Sequence, residues 1–199
     1  MPGPLRLEDP VGVRIAGAGG QGVILAGVLL AEAGTLEGWN VVHTQSYGPE
    51  ARLGAAKSDV LLSREEIAYP EVTEPDWLVC LSRDAYARYA RSLRPRGLRL
   101  VDEEAVPRGE EPPPRTLVLP FLRRARELDA AYAANVVALA ALVALSRVVT
   151  PESLRRAVRA RVKPRLLDAN ERALDAGWEL VVRETLDPSA GPAARDARG

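Results

Sequence analysis

The sequence predicts an α/β protein of three layers, in which helices cover both faces of a mainly parallel, Rossmann-like sheet and the C-terminal part is helical. Two observations carry this prediction. Up to Pro120, short apolar runs alternate with segments of helical periodicity, which is the pattern of strands connected through helices. From Phe121 onward the strand-like runs stop and helical patterns follow.

The first strand, the first helix and the second strand form one unit. Residues 11–17 (VGVRIAG) are predicted to form a short apolar strand, and residues 21–38 a helix that ends with Gly38 at its C′ position. Residues 39–44 (WNVVHT) follow as the second strand. Because a helix connects them, we expect these two strands to run parallel.

Four more strands are predicted after a turn-rich loop. They cover residues 57–63, 74–82, 96–102 and 116–120. An amphipathic helix over 83–93 lies between the second and the third of these strands. The proline-rich stretch 103–115 shows no periodicity, and we predict a surface excursion there.

The C-terminal part is predicted to be helical throughout. Residues 121–149 indicate one or two helices, the second rich in alanine and buried on most sides. Thr150 is placed to cap a further helix, with Pro151 in its first turn. A last helix is predicted over 164–180.

Length and composition are those of an ordinary globular protein. The chain has 199 residues, of which 47% are hydrophobic and 27% are charged, enough for one domain with a sizeable core. The pattern predicts a single α/β domain over residues 11–182. The leader 1–10 and the tail 183–199 lack a core pattern, and we expect them to be disordered.

Charge and cysteine content exclude several kinds of function. The formal net charge is zero, so nothing favours a nucleic acid or an anionic membrane as partner. A single cysteine, Cys80, rules out an internal disulfide and a cysteine-ligated iron–sulfur or zinc site, and no metal site is predicted. The sequence shows no secretory signal and no apolar run long enough for a bilayer, so a cytoplasmic location is expected.

The turn after the first strand, AGAGGQG, satisfies a phosphate-binding pattern. Gly17, Gly19 and Gly22 match G-x-G-x-x-G between a strand and a helix, where backbone N–H groups and the helix N-terminus attract anions. Dinucleotide binding also needs an acidic residue at the end of the second strand, and Thr44 and Gln45 stand there instead. Three interpretations remain open: a dinucleotide site, another kind of anion site, and a turn whose glycines serve only close packing.

A second polar segment, SYGPEARLGAAKS (46–58), follows the second strand. It is expected at the carboxyl edge of the sheet beside the glycine turn, where α/β proteins bind ligands. Arg52 suits bidentate contact with a phosphate or carboxylate, and Lys57 adds a point charge. Glu50 is a candidate ligand contact as well, or it pairs with Arg52 and only holds the loop.

Together the blocks GAGGQGVILAGVLLAEAG and SYGPEARLGAAKSDVLLS resemble the gamma subunit of the 2-oxoacid:ferredoxin oxidoreductases. The resemblance continues through PDWLVCLS, AANVVALAALVAL and NERALDAGWE and covers roughly residues 11 to 180. These enzymes decarboxylate a 2-oxoacid oxidatively to its acyl-CoA and pass the electrons to ferredoxin. The SYGPEAR form looks closest to the 2-oxoglutarate branch, while the pyruvate, 2-ketoisovalerate and indolepyruvate branches stay open.

The resemblance implies a subunit that is not catalytic alone. Alpha, beta and delta-type partners would carry thiamine diphosphate, Mg²⁺ and the iron–sulfur clusters and would reach ferredoxin, and a homodimer is one form open to the isolated chain. Coenzyme A is the ligand expected at this chain, which holds no cofactor by itself. The residues implied at that site are Gly17, Gly19, Gly20, Gln21, Gly22, Ser46, Tyr47, Gly48, Glu50, Arg52 and Lys57.

One departure and two rival functions accompany this interpretation. Leu53 stands where the family usually has glycine, which puts in doubt any backbone contact that needs a positive φ there. The rivals are a free-standing nucleotide-binding or sensor module, and a scaffold subunit whose glycine turn serves only packing.

Five further polar residues are predicted to be structural. His43 is expected to be a satisfied histidine on an apolar strand, and Cys80 a buried thiol. Asp102 ends a strand and is expected to be a turn or cap residue. The alternative is that its side chain faces the same edge of the sheet as the glycine turn. Asn135 and Asn170 are expected to cap helices or to bond inside the core.

Overall fold

The computed structural model of the chain describes residues 9–46 and 55–186. Its centre is a six-stranded sheet with the order β2-β3-β1-β4-β5-β6. The strands are β1 (Val11–Ala18), β2 (Asn40–Ser46), β3 (Ala55–Ser63), β4 (Trp77–Cys80), β5 (Leu98–Asp102) and β6 (Thr116–Leu119). β1, β4, β5 and β6 pair parallel to one another, whereas β3 is antiparallel to both of its neighbours, β1 and β2.

The position of β3 was not predicted from the sequence. β1 and β2 run in the same direction, as predicted, but β3 lies between them and pairs with both. The physical reason is the connection from β2 to β3, which is too short to hold a crossover helix. A parallel return needs a crossover of a dozen or more residues, so β3 comes back antiparallel.

Six α-helices accompany the sheet in the part of the chain that the structure describes. They are α1 (Val23–Leu36), α2 (Arg83–Tyr89), α3 (Phe121–Glu127), α4 (Ala134–Ser146), α5 (Pro151–Arg161) and α6 (Pro164–Leu186), with a short 3₁₀ turn (Ala131–Ala133) before α4. The proline-rich stretch before β6 contains no helix or strand, as predicted.

The helices are distributed unequally over the two faces of the sheet. Side chains such as Val13 and Ile15 join the main core with α1, α4, α5 and α6. Alternate residues on the other face, such as Ala16 and Cys80, lie in two small clusters under α2. This alternation follows from the two-residue period of a strand and gives the predicted three layers.

The predicted helix ends are confirmed where the sequence carried a capping signal. Thr150 accepts a hydrogen bond from Ser153 N at 3.2 Å, and Pro151 occupies the first turn of α5. At the end of α1, Gly38 N donates to Thr35 O and Trp39 N donates to Gly34 O. These two hydrogen bonds are those of a Schellman motif. α6 continues to Leu186, beyond the start of the predicted tail.

Helices α4 and α6 lie in close contact at Gly177. A Cβ atom built on this residue would lie 2.2 Å from Val137 O and 2.6 Å from Ala140 Cβ, both on α4. Backbone cannot move out of the way as a flexible side chain can, so this crossing requires the absence of a side chain.

We therefore predict that Gly177→Ala destabilises the protein by about 2–3 kcal/mol, although alanine by itself favours a helix by up to about 1 kcal/mol over glycine. Gly19→Ala is the matched control, because a Cβ there meets nothing within 4 Å. Urea denaturation of both variants measures the difference. Equal stabilities would show that the helices separate without cost.

Candidate functional site

The carboxyl-end rim of the sheet is the edge at which β1, β2, β4, β5 and β6 end and β3 begins. Ala18, the last residue of β1, pairs with Ala55, and Ser46, the last residue of β2, pairs with Lys57. The glycine turn and both ends of the second polar segment therefore lie at one rim, as the sequence predicted.

The glycine turn is open to solvent at its outer positions. Gly19 and Gly20 are exposed, and a Cβ on either would meet nothing within 4 Å. Gly20 has a φ of +88° and Gly22, the N-cap of α1, a φ of +72°, which are conformations that other residues rarely adopt. The backbone of the turn is thus accessible to a ligand, as a phosphate- or pantetheine-binding turn requires.

Gln21 points inward from this turn and bonds the ends of two strands. Its Oε1 accepts a hydrogen bond from Ala18 N at 2.7 Å, and its Nε2 donates to Leu81 O, just past β4, at 2.9 Å. A Cβ on Gly17 would lie 2.6 Å from Gln21 Oε1. The side chain was predicted as a ligand contact; its observed bonds hold β1 and β4 together beneath the turn.

The start of α4 supports the turn from below. Asn135 Nδ2 donates to Gly22 O at 2.9 Å, and a Cβ on Gly22 would lie 2.6 Å from the same nitrogen. The predicted bond of Asn135 inside the core is confirmed. Asn170 likewise bonds backbone, donating to Leu166 O at 2.7 Å.

Lys57 belongs to a buried ion cluster next to the rim. Its Nζ lies 2.7 Å from Asp59 Oδ2, and Arg14 grips the same carboxylate with two bonds of 2.7 and 2.8 Å. Asp59 and Arg14 are buried, whereas 28% of the Lys57 side chain is exposed. The single carboxylate of Asp59 thus pairs with two cations, which leaves one net positive charge in the cluster. This charge lies near the rim, where Lys57 was predicted to provide a point charge.

The remaining predicted site residues are only in part described. Ser46 is exposed at the end of β2. Tyr47, Gly48, Glu50 and Arg52, together with the unusual Leu53, lie outside the described residues.

A cleft lies beside the glycine turn, on the side of β4, β5 and β6, and was not predicted from the sequence. Its volume is about 540 Å³, and it is lined by Gln21, Leu81, Ser82, Arg83, Glu103, Glu104, Val106, Arg108 and Leu122. These residues follow β1, β4, β5 and β6. The chain leaves β1 toward β2 and leaves β4 toward β5, in opposite directions, so the cleft is at the topological switch point where α/β sheets bind ligands.

Asp102 is a cap residue, the first of its two predicted roles. Its Oδ1 accepts from Glu104 N at 2.9 Å and its Oδ2 from Leu122 N at 2.8 Å, in the first turn of α3. Burial raises the pKa of the Asp102 carboxyl to about 6, against the two backbone bonds, which lower it. Asp102 thus connects the end of β5 to the start of α3 below the rim.

His43 and Cys80 are structural, as predicted. His43 Nε2 lies 2.7 Å from Ser58 Oγ, and burial lowers the pKa of the imidazole while the charge of Asp59 opposes that shift. Cys80 is fully buried in β4, and burial raises the pKa of its thiol to about 12. A thiol that stays protonated at neutral pH is a poor nucleophile.

Two further kinds of site are not found in the described part of the chain. Residues 9–46 and 55–186 contain no group of three or more His, Cys, Asp or Glu side chains placed to hold a metal ion. Within the same residues, every helix is too short or too polar to cross a membrane.

Comparisons with known proteins agree with this geometry. The model of the pyruvate ferredoxin/flavodoxin oxidoreductase family matches residues 12–180. The 2-oxoglutarate synthase subunit KorC of Methanocaldococcus jannaschii is 42% identical over 173 residues, which are 85% of this chain and 92% of the relative.

Solved structures share the fold. A keto/oxoacid ferredoxin oxidoreductase gamma subunit from Geobacter sulfurreducens PCA matches with a TM-score of 0.78 and 36% identity, over 88% of this chain and 98% of that one. A 2-oxoglutarate:ferredoxin oxidoreductase from Magnetococcus marinus, solved with 2-oxoglutarate, coenzyme A and succinyl-CoA, matches in fold with a TM-score of 0.76 and 24% identity, over 88% of this chain and 31% of that one.

The chain therefore belongs to the pyruvate ferredoxin/flavodoxin oxidoreductase family. Within it, the chain is a gamma subunit of a 2-oxoacid:ferredoxin oxidoreductase, which confirms the resemblance seen in the sequence. It is one part of a multi-subunit enzyme, and partner subunits are implied.

The bonds of Gln21 predict a specific cost of replacing it. In Gln21→Glu the carboxylate still accepts from Ala18 N but faces Leu81 O without a proton to donate, and we expect a loss of about 1–3 kcal/mol in unfolding free energy. Gln21→Ala removes both bonds and should also speed hydrogen exchange at the Ala18 amide. Gln45→Glu, exposed on β2, is the control, and its stability should stay within about 0.5 kcal/mol of wild type. Unchanged stability of Gln21→Glu would contradict the observed bonding.

The raised pKa of Asp102 predicts that the contribution of this residue to stability falls as the pH rises from about 4 to about 6. In that window the unfolded carboxyl loses its proton while the folded one keeps it, so the contribution of Asp102 to the unfolding free energy decreases with pH and levels off above about 6. The shift from 3.8 to about 6 corresponds to at most about 3 kcal/mol. Urea denaturation of the full chain at pH 4–7 measures it, and the gap between wild type and Asp102→Asn should shrink across the window. A gap that stays constant would show that Asp102 does not titrate there.

Proposed function

We propose that this gamma subunit serves a 2-oxoglutarate:ferredoxin oxidoreductase and that its carboxyl-end rim contacts coenzyme A. The choice of 2-oxoglutarate rests on two observations. The match to the KorC relative spans 92% of that protein, and the sequence contains the SYGPEAR block. The pyruvate and indolepyruvate branches of the family are the alternatives that an assay of the acid distinguishes.

The observation that carries the coenzyme A proposal is the open glycine turn. Gly19 and Gly20 expose backbone without side chains at a helix N-terminus, which favours the approach of a phosphate or an amide-rich arm. The excess positive charge at Lys57 lies on one side of this turn. The Magnetococcus marinus enzyme that shares this fold was solved with coenzyme A bound, which supports the choice of this ligand.

The proposed division of labour follows from the side chains that this chain has. One buried cysteine cannot ligate an iron–sulfur cluster, and the described rim presents binding groups only. We place thiamine diphosphate, Mg²⁺ and the clusters on alpha, beta and delta-type partners. This chain binds and orients the thiol carrier and supplies assembly contacts, within a complex that we expect in the cytoplasm.

A size series at Gly19 tests the proposal. Because a Cβ there meets no atom of this chain within 4 Å, Gly19→Ala and Gly19→Leu should fold as wild type. We expect the KM for coenzyme A of the reconstituted complex to change little in Gly19→Ala and to rise at least about tenfold in Gly19→Leu, with the KM for 2-oxoglutarate unchanged.

Two outcomes would contradict the coenzyme A role. Lost assembly with unchanged affinity for coenzyme A would support a purely scaffolding turn. Wild-type kinetics in Gly19→Leu would place coenzyme A away from this rim. In either case the assay of alternative acids still identifies the branch of the family.

A further inference from the structure

The strand β2 and the outer side of helix α1 form one flank of the molecule, which we call the β2–α1 flank. β2 is the last strand of the sheet at this end, and within residues 9–46 and 55–186 no strand pairs with its outer edge. α1 covers the sheet at this end and packs on α4 and α5 on its inner side. Two features show that this flank is built to be covered.

The edge of β2 lacks the features that prevent strands from pairing with other chains. Its seven residues, Asn40–Ser46, all pair with β3 in one unbroken register, so no bulge bends the edge away. None of the seven is charged and none is proline. Exposed edges usually carry such residues, because a regular uncharged edge offers its unpaired N–H and C=O groups to another strand. The opposite terminal strand, β6, has only four residues and is followed by Pro120.

Helix α1 is apolar on its outer side as well as on the side that faces the core. Only one of its fourteen residues is charged. Ile24, Val28 and Ala31 follow the spacing of one helix face, opposite the fully buried Ala26 and Ala33, and are only half-buried. Because a helix that is apolar all round is normally buried all round, we expect the outer side of α1 to be covered by another chain.

Glycines place α1 over the line between β2 and β3. A Cβ atom on Gly27 would overlap Ser58 Oγ of β3 and would lie 2.8 Å from His43 Nε2 of β2. A Cβ atom on Gly34 would likewise meet side chains of both strands. The axis of α1 is therefore displaced inward from β2 by about half a strand spacing, or roughly 2.4 Å.

This displacement is the one that lets a second copy of the chain fit the flank. If β2 pairs antiparallel with β2 of a second copy, the two strands lie about 4.8 Å apart. The two α1 helices then lie side by side on the same face of the joined sheet, with axes about 10 Å apart, which is a usual distance for packed helices. A strand of a different protein would cover the edge of β2 but would leave the outer side of α1 exposed, whereas a second copy covers both.

A two-fold axis at His43 suits the strand and the helix at once. His43 is the middle residue of β2, so an axis there pairs all seven residues and puts Val42 opposite Thr44 of the second copy. Because Gly27 packs on His43, the next residue of α1, Val28, lies near the same axis and faces its own copy.

The side chains along α1 are complementary about this axis. With Val28 at the centre, Ile24 of one copy faces Ala31 of the other, four and three residues from the axis. A large side chain thus meets a small one on each side of the centre, which lets the two helices approach closely.

We propose that the β2–α1 flank is the interface between two copies of this gamma subunit, in which the two six-stranded sheets join through β2 and the two α1 helices pack on each other. The same surface serves both copies, as a two-fold axis requires. The complex then contains its gamma subunits in pairs. The interface is separate from the rim proposed for coenzyme A.

The first test is the mass of the full chain in solution. Sedimentation equilibrium of wild type at micromolar concentration should give twice 21.5 kDa. Val28→Arg brings two like charges together at the axis, and we expect the dissociation constant of the dimer to rise at least about tenfold. Val28 belongs to none of the core clusters, so the variant should keep its circular dichroism spectrum.

The matched control makes the same change on a distant helix. Val182 is exposed on α6, near the place where Glu179 bonds Arg124 of α3, on the side of the sheet that ends with β6. Val182→Arg should therefore dimerise as wild type does.

Disulfide cross-linking tests the register of the two strands. Native Cys80 is fully buried, so introduced cysteines react alone. Val42→Cys/Thr44→Cys should give a covalent dimer on mild oxidation, because opposite residues of an antiparallel pair lie about 4.5–5.5 Å apart, within the reach of a disulfide. Either single variant should stay unlinked, since its two thiols are two residues out of register, with Cα atoms roughly 8 Å apart.

Three outcomes would overturn the inference. The first is a wild-type chain that stays monomeric at every concentration. The second is a dimer that survives Val28→Arg and does not cross-link, which would place the interface on another surface. The third is a monomeric wild type whose Val28→Arg variant no longer assembles with the other subunits, which would assign the flank to one of them. Because none of these results alters the expected effect of Gly19→Leu on coenzyme A, the proposed function is tested separately.

Discussion

The hydrogen bonds of Gln21 across the end of β1 are the constraint on which the rim depends. β1 has an antiparallel neighbour on one side and a parallel neighbour on the other, and the chain leaves β1 and β4 in opposite directions. β1 and β4 are paired up to Ala16 and Cys80, and Leu81 N still donates to Ala16 O at 2.9 Å, beyond which the two connections diverge. The Gln21 side chain extends this link to the end of β1 by accepting from Ala18 N and donating to Leu81 O, so the turn above it needs no side chains of its own.

The ion cluster under α2 has a comparable role for β3. Asp59 lies on β3, inside the sheet, where a buried carboxylate without a partner would be costly. Arg14, opposite it on β1, forms a bidentate pair with this carboxylate, and Lys57 adds a third bond. A slipped register would separate Arg14 from Asp59 and leave the carboxylate only Lys57, so this arrangement favours one register of β1 and β3.

Most helices and strands could be predicted, because local signals in the sequence mark them. The order of the strands in the sheet could not be predicted in this way. Apolar runs, Gly38 and the Thr150–Pro151 cap are read within a few residues, and the structure places them as expected. The position of β3 depends on the short connection from β2, which allows only an antiparallel return. The cleft could not be predicted, because its lining residues become neighbours only through the pairing of β4 with β5 and of β5 with β6, which no local signal marks. Arg108, one of these residues, also lies in a stretch without periodicity.

The chemistry of the described rim explains why the chain works as a part of an enzyme. Groups able to attack or to transfer protons near neutral pH are withdrawn from the surface: the thiol of Cys80 has a pKa of about 12 in the core, His43 is bonded to Ser58, and Asp102 caps α3. The groups of the described rim that reach solvent include the backbone of Gly19 and Gly20, the partly exposed ammonium group of Lys57 and the carboxylate of Glu104, which is paired with Arg126. Backbone amides and an ammonium group attract an anion by charge and hydrogen bonding, which agrees with the place of this chain as one subunit of a multi-subunit oxidoreductase.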